Sequence, residues 1–499
     1  MADFVSAVGV DTTTLNAGDQ ATVTAVADAD SKAQATSVDG IAEAASVVTD
    51  GVGVRDSAIT AGGAAVVDID QTGVADADAT TVNAVNVAGN WPEMFHPTLS
   101  FSAGTYTRNT ADTGVIANGD RIVIPGGANA GSYYVVNYTE DNAGDTFQLA
   151  ETPDGSALAT DLKADLVVST TELISSTAFA GFTGQTGGML DSTATDVDVT
   201  VGDNADINVR ADNVADADAS NTDGDAFATA QVDETYGLEN TGVSVGASGV
   251  LTADVDVDAT ASATTTGASG ATADANADAD ATNVVAIQDL GDGAGDFSFG
   301  NDATITANAG TSADQVQVSG TATTTTGDAT ATADSTLISG INDVTGTDGA
   351  VSNVLSVGDN ATITGRGYAD VDASATSTTG NATGTATTAA VDGIQADSIT
   401  AGGDAAVKAF ANTSSDAVAS TTDGDAAATN TLIASQGLDL DNLSVGGSSS
   451  AGGYDVVGSA IADLTTTATV GGGDTTDDAD ASADVGTLIG AQFGDGTAG

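Results

Sequence analysis

Along most of this chain, apolar and polar residues alternate with period two. Ala369, Val371, Ala373 and Ala375 are interleaved with Asp370, Asp372, Ser374 and Thr376. On an extended strand this puts one set inward and the other toward solvent. No apolar i, i+3, i+4, i+7 pattern competes, and Thr, Val, Asp and Gly are abundant. The period therefore outweighs alanine's preference for helix. The stretch Leu355–Gly446 shows how the strands are organised. It opens LSVGDNATITGRGYADVDASATSTTGNATGTATTAAVDGI and begins again as DSITAGGDAAVKAFANTSSDAVASTTDGDAAATNTLIASQGL. Gly358, Gly380, Gly402, Gly424 and Gly446 are each 22 residues apart, and a fixed period marks a repeat architecture whose units bury their faces against neighbours. The expected fold is all-β, a β-solenoid or β-helix with a 22-residue period and a 44-residue double unit. If each 22-residue unit were one coil of two or three short strands, about 18 coils would give a rod of roughly 85 Å.

The same spacing links Gly18, Gly40 and Gly62, and later Gly202, Gly224 and Gly246. It then loosens, with Gly300 following 54 residues after Gly246 and Gly358 a further 58 on. Gly291–Asp296 and Asn342–Ala350 read as turn insertions on one edge of the stack. Between Gly62 and Gly202 the repeat is interrupted. All four prolines (Pro92, Pro97, Pro125, Pro153), the only Trp, the only His and four of the seven tyrosines fall there. The organisation predicted is repeats over 1–87, an inserted small β barrel or sandwich over 88–190, repeats over 191–446, and an atypical terminal repeat or cap over 447–499. Within the insert DRIVIPG, SYYVVNYTE and DTFQLAE read as strands between Gly/Asn/Asp turns.

Composition narrows the functional classes. Apolar residues make up 41% but aromatics only 4%, so a core built mainly of Ala and Val is thin in buried area. The formal charge is −63, from 71 acids against 8 Lys and Arg. A field of that sign repels phosphate backbones and anionic membranes, which excludes nucleic acid as a partner. Self-repulsion of this size is relieved by salt, and a saline habitat is the natural setting. There is no Cys. No uninterrupted apolar stretch approaches the roughly 20 residues of a membrane helix, so membrane insertion is not expected. The opening MADFVSAVGVDTTT lacks the basic segment and apolar run of a signal peptide. Exit from the cell is then expected inside an assembled particle or by a signal-less route.

Candidate chemistry is sparse. The acidic turns with Asp223, Asp225, Asp423 and Asp425 offer oxygen ligands of the kind Ca²⁺ and Mg²⁺ take. The glycine-rich nonapeptide series of calcium β-rolls is absent, so a solvated acidic face with scattered weak Ca²⁺ or Mg²⁺ binding is expected, and no cofactor. His96 is the only imidazole and there is no thiolate, which leaves neither a zinc or haem site nor a serine triad. No enzyme is expected. Trp91, Phe95, His96, Tyr106, Tyr133, Tyr134 and Tyr138 in the insert are the recognition candidates, since aromatics with a polar tip suit sugar or protein contacts. The same side chains would equally serve as the core of a small domain.

Gly119–Leu158, GDRIVIPGGANAGSYYVVNYTEDNAGDTFQLAETPDGSAL, resembles a short β module of bacteriophage tail and fibre proteins and of some bacterial surface proteins. The flanking VGDNATITG and TTGDATATA repeats are similar to those of long structural proteins of marine phages, cyanophages especially, and of marine cyanobacterial surfaces. Neither resemblance brings catalytic residues. Together they imply a non-enzymatic virion appendage or fibre whose insert docks a partner or touches a host-surface glycan or protein. The alternatives are a cell-surface filament, S-layer or adhesin of a marine bacterium, at the cell surface and not in a virion, and a polysaccharide-degrading spike. Small inward Ala residues fit either a single-chain flat solenoid or a three-chain bundle. A homo-oligomer, a trimer among the options, associated with other virion or surface proteins is expected.

Overall fold

The alternating segments form long parallel strands, stacked in register into two facing sheets. The computed structural model describes residues 2–4, 6–12, 14–37, 41–81, 99–102, 105–108, 121–124, 131–139, 146–150, 175–190, 199–222, 224–239, 242–266, 273–289, 297–343, 354–445, 455–472 and 477–493. Among these residues there is no helix. One coil runs along Thr362–Thr379 in one sheet, crosses at Gly380–Asn381 into Ala382–Ala401 of the other, and returns to Ala406–Asp423. That strand lies directly on the first, Thr362 pairing with Ala406. A coil is therefore 44 residues, and the 22-residue period is half of one, a single long strand and its turn. This corrects the expectation of two or three short strands per 22 residues.

The straight sheet has nine strands on eight levels, from Thr22–Ser37 to Asp455–Val470. Thr304–Ala309 and Val316–Thr324 share a level across the turn at 310–315. The kinked sheet has seventeen strands on nine levels, from Ala2–Phe4, Ala7–Asp11 and Thr14–Ala17 to Ala479–Phe493. Nine levels rise about 40 Å, whereas strands of this length reach roughly 50–65 Å. The stack is a plate wider than it is tall, and the rod of roughly 85 Å does not form.

Two internal devices fix the sheets against each other. Gly9, Gly53, Gly188, Gly237, Ala286, Gly340, Gly393, Gly437 and Gly490 occupy one inward position on successive levels of the kinked sheet. A Cβ on Gly340 would lie 2.3 Å from Arg366 N, and one on Gly393 2.4 Å from Phe410 N. The two backbones thus touch along this column, and only glycine or a locally relaxed alanine fits. The second device is a buried polar bridge. Gln71 Nε2 donates to Asn213 Oδ1 at 2.9 Å, and Asn213 Nδ2 donates to Thr186 Oγ1 at 2.7 Å and Thr235 Oγ1 at 2.9 Å. It joins the straight sheet to the kinked one through the core, where its satisfied bonds favour one alignment. Elsewhere the interior is columns of Ala, Val and Ile, such as Ala215, Ala259, Val318 and Val371.

The interruption enters at one turn. Thr81 ends a straight-sheet strand and Ser175 begins a kinked-sheet strand, and Ser176 Oγ lies 2.9 Å from Thr81 Oγ1 in a hydrogen bond. Ser175–Leu190 pairs with both neighbouring levels of the parallel sheet. The insert therefore ends before Ser175 and not at residue 190, a boundary that composition misplaced because this strand carries aromatics and glycines as well. Leu99–Ser102, Thr105–Arg108, Arg121–Ile124, Gly131–Thr139 and Thr146–Ala150 form a separate antiparallel sheet. The three strands read from the sequence are in it. The C-terminal segment adds one more ordinary coil, Asp455–Val470 and Ala479–Phe493, where a cap was expected.

Candidate functional site

The acidic residues fall in two settings, the turns and the outer rows. At the turn leading from the straight to the kinked sheet, each level's Asp or Asn accepts the backbone N–H of the next. Asp274 N donates to Asp225 Oδ1 (2.8 Å), Asp328 N to Asp274 Oδ1 (2.9 Å), Asn381 N to Asp328 Oδ1 (2.8 Å), Asp425 N to Asn381 Oδ1 (2.9 Å) and Asp478 N to Asp425 Oδ1 (2.9 Å). Hydroxyls just before the turn add to this: Thr265, Ser377 and Thr421 Oγ donate to Gly224, Gly327 and Gly380 carbonyls at 2.7–2.9 Å. The Thr-rich turn ending in Gly is thus a set of donors for carbonyls the turn would otherwise leave unpaired.

The opposite turn works by contact. Gly62, Gly202, Gly246, Gly300, Gly358 and Gly402 stack in a row, and a Cβ on Gly358 would meet Gly300 C at 2.6 Å. Positive φ falls two residues later, at Gln20, Ala64, Asn204, Ser248, Asp302, Asn360 and Asp404, all at 55–58°. A broken ladder runs here too: Gly63 N donates to Asp19 Oδ1 at 3.0 Å, Ala247 N to Asp203 Oδ1 at 2.8 Å and Gly403 N to Asp359 Oδ1 at 2.7 Å. It stops at Gly63 and Ala247, which have no acceptor.

On the outer faces carboxylates stack on adjacent levels: Asp76 on Asp216, Asp78 on Asp218, Asp212 on Asp256, Asp372 on Asp416 and Asp280 on Asp334. Neighbouring levels are about 4.8 Å apart. Partial burial, with repulsion from Asp218, Asp76 and Asp78 added, pushes Asp216 up to about 6. Burial and then Asp314 and Asp258 push Asp256 up to about 7. Asp280 and Asp372 rise to about 6 by burial first and neighbouring carboxylates second. The few bases are placed against this field. Lys32 pairs with Asp76 and lies 4.0 Å from Asp78, Arg210 is 2.7 Å from Asp212, and Lys408 is 4.0 Å from Asp455. Among the described residues, no group of three or more His, Cys, Asp or Glu is arranged to hold a metal ion.

Just outside the glycine column the kinked sheet closes on itself. Val52, Leu190, Tyr236 and Val285 make a small apolar cluster apart from the main core. Two levels beyond Val285 the same position is Asp392, 5% exposed, with Ser339 between them. Burial, and Asp439 nearby, push Asp392 up to about 7 against a backbone hydrogen bond from Gln436.

The sequence candidates are dispersed by this arrangement. Asp225 and Asp425 have Oδ1 committed to the turn ladder, and Asp225 is buried, so neither stands as a free cation ligand. Asp423 is exposed at a strand end, its carbonyl accepting Gly380 N–H at 2.8 Å. Asp223, Trp91, Phe95 and His96 lie outside the described residues. Tyr106 pairs opposite Phe101 and Phe147, Tyr133 opposite Ile122, and Tyr134 opposite Arg121 and Ala150; Tyr138 is on the same strand beside the bulge at Asn137. Sequence reasoning missed the inward glycine column and Asp392. The column had a signal, since Gly393, Gly437 and Gly490 recur at 44 and 53 residues, each followed by an apolar residue. Compared with known proteins, the chain matches no family model, no curated protein and no solved structure.

Proposed function

We propose that this chain is a non-enzymatic structural protein, the acidic β-solenoid of a virion appendage or fibre of a marine phage. The observation that carries the reading is the turn ladder from Asp225 to Asp478, in which six polar side chains join successive levels. Acids that could ligate or react are used there to hold the stack, and the outer rows meet solvent and its cations. The antiparallel sheet over residues 99–150 enters at one turn edge, a position suited to docking a partner or a host-surface glycan or protein. Diffuse Ca²⁺ or Mg²⁺ association with the outer rows belongs to the same reading.

The test is immunogold imaging of intact particles with antibody against residues 354–445. Gold along an appendage is the expected result. Gold on the envelope of uninfected cells would replace the virion by a surface filament, layer or adhesin. Release of reducing ends from host capsule by the purified chain would overturn the non-enzymatic reading.

A further inference from the structure

The two ends of the stack differ. At the N-terminal end the edge is broken into Ala2–Phe4, Ala7–Asp11 and Thr14–Ala17, and the straight-sheet edge strand Thr22–Ser37 carries Asp28, Asp30 and an exposed Lys32. Short edge strands and an edge lysine are the usual guards against strand addition. At the C-terminal end the edges are unbroken, Asp455–Val470 with 16 residues and Ala479–Phe493 with 15, and neither has a Lys or Arg. Ile461, Val485, Leu488 and Phe493 are 47–57% exposed there. Val485 continues an inward column whose previous member, Leu432, is 1% exposed. The core is open at this end and closed by nothing in the chain that the structure describes.

We propose that this end binds a second copy of the chain across a two-fold axis parallel to the strands. Ala479–Phe493 of each copy pairs antiparallel with Asp455–Val470 of the other, so that each sheet is continued by the partner's opposite sheet. Three observations select this partner. The edge strands match in length. The first and last levels both lie in the kinked sheet, nine levels against eight, so the end is stepped. Two stepped ends interlock when the protruding strand of each lies against the recessed strand of the other. Head-to-tail stacking instead brings two protruding edges together and leaves the straight sheet one level short. The third observation is charge. In the overlap that sets Val470 against Ala479, Asp480 faces Thr469, Asp484 faces Thr465 and Asp463 faces Gly486, so no carboxylate opposes another. The same overlap sets Leu464 against Val485. A two-fold contact is self-complementary and closes at a dimer.

The inference stands apart from the proposed role and is tested separately. At about 1 M NaCl, where the Debye length is about 3 Å, light scattering of the full chain should give twice 48.0 kDa, and Leu488→Lys should return it to a single chain with its β circular dichroism unchanged. The chain has no Cys, so Thr467→Cys and Ser482→Cys can be made singly. Mixed, they should form a disulfide-linked dimer under mild oxidation, whereas each alone should not. A single chain at every concentration, open-ended filaments, a dimer that survives Leu488→Lys, or cross-linking by either cysteine variant alone as strong as in the mixture would each overturn the proposal.

Discussion

Single residues in this chain are placed more by contact distance than by backbone angle. Gly393 sits where a Cβ would lie 2.4 Å from Phe410 N, so Gly393→Ala must push the two sheets apart. We expect a loss of about 2–4 kcal/mol, read as a lower melting temperature. Ala64 shows the opposite case, a φ of 55° with a side chain that gains nothing from it. Ala64→Gly should stabilise by about 0.5–1 kcal/mol. Asp392 replaces an apolar residue in a closed position, and its carboxyl is raised to about 7 from 3.8. The fold therefore favours its neutral form: that contribution is complete below about pH 4 and is lost as pH rises through 7. Asp392→Asn should raise the melting temperature at about pH 8, by up to about 4 kcal/mol, and change little near pH 5. An equal gain at both pH values would assign the effect to packing. None of this was legible in the sequence, because Asp392 lies in an alternating run like every exposed Asp, and only the kink beside Gly393 turns its position inward.

At the level of the strand and its turn, the 22-residue period was plain but its meaning was not. Both turns join Gly to Asp or Asn, as in Gly358-Asp359 and Gly380-Asn381, so half a coil looks like a whole one. The distinction lay in smaller signs, a residue able to take positive φ before Ala361 and a Thr pair before Gly380. Because the turn acids are acceptors for the next level, Asp328→Ala should cost about 1–3 kcal/mol by stranding Asn381 N–H, and Asp328→Asn should restore it. Thermal melts of the two variants decide whether charge or the acceptor matters. The corrected boundary gives a second outcome at this scale. Removing residues 82–174 and closing the gap with the four-residue turn Thr222–Asp225 should leave a folded stack, because Thr81 and Ser176 already touch. Cutting on to Met189 removes nearly all of the level Ser175–Leu190 and should yield aggregated protein on gel filtration.

For the whole molecule, charge sets the conditions of stability. Asp216, Asp280 and Asp372 are raised to about 6 and Asp256 to about 7. Raised carboxyls favour the fold when protonated, so melting temperature should climb as pH falls from about 8 to about 5. Salt should act in the same direction, with MgCl₂ and CaCl₂ effective at lower concentration than NaCl. A melt that is flat in both pH and salt would show that the stacked acids are not under strain. The coil length has a further consequence, written in the gene. Recombination that duplicates 44 codons adds one level with every column in register. Duplicating 22 would seat straight-sheet strands beneath kinked ones and misplace the glycines that let the sheets touch. Length variants of this gene in natural populations should therefore differ in steps of whole coils, with odd half-steps purged.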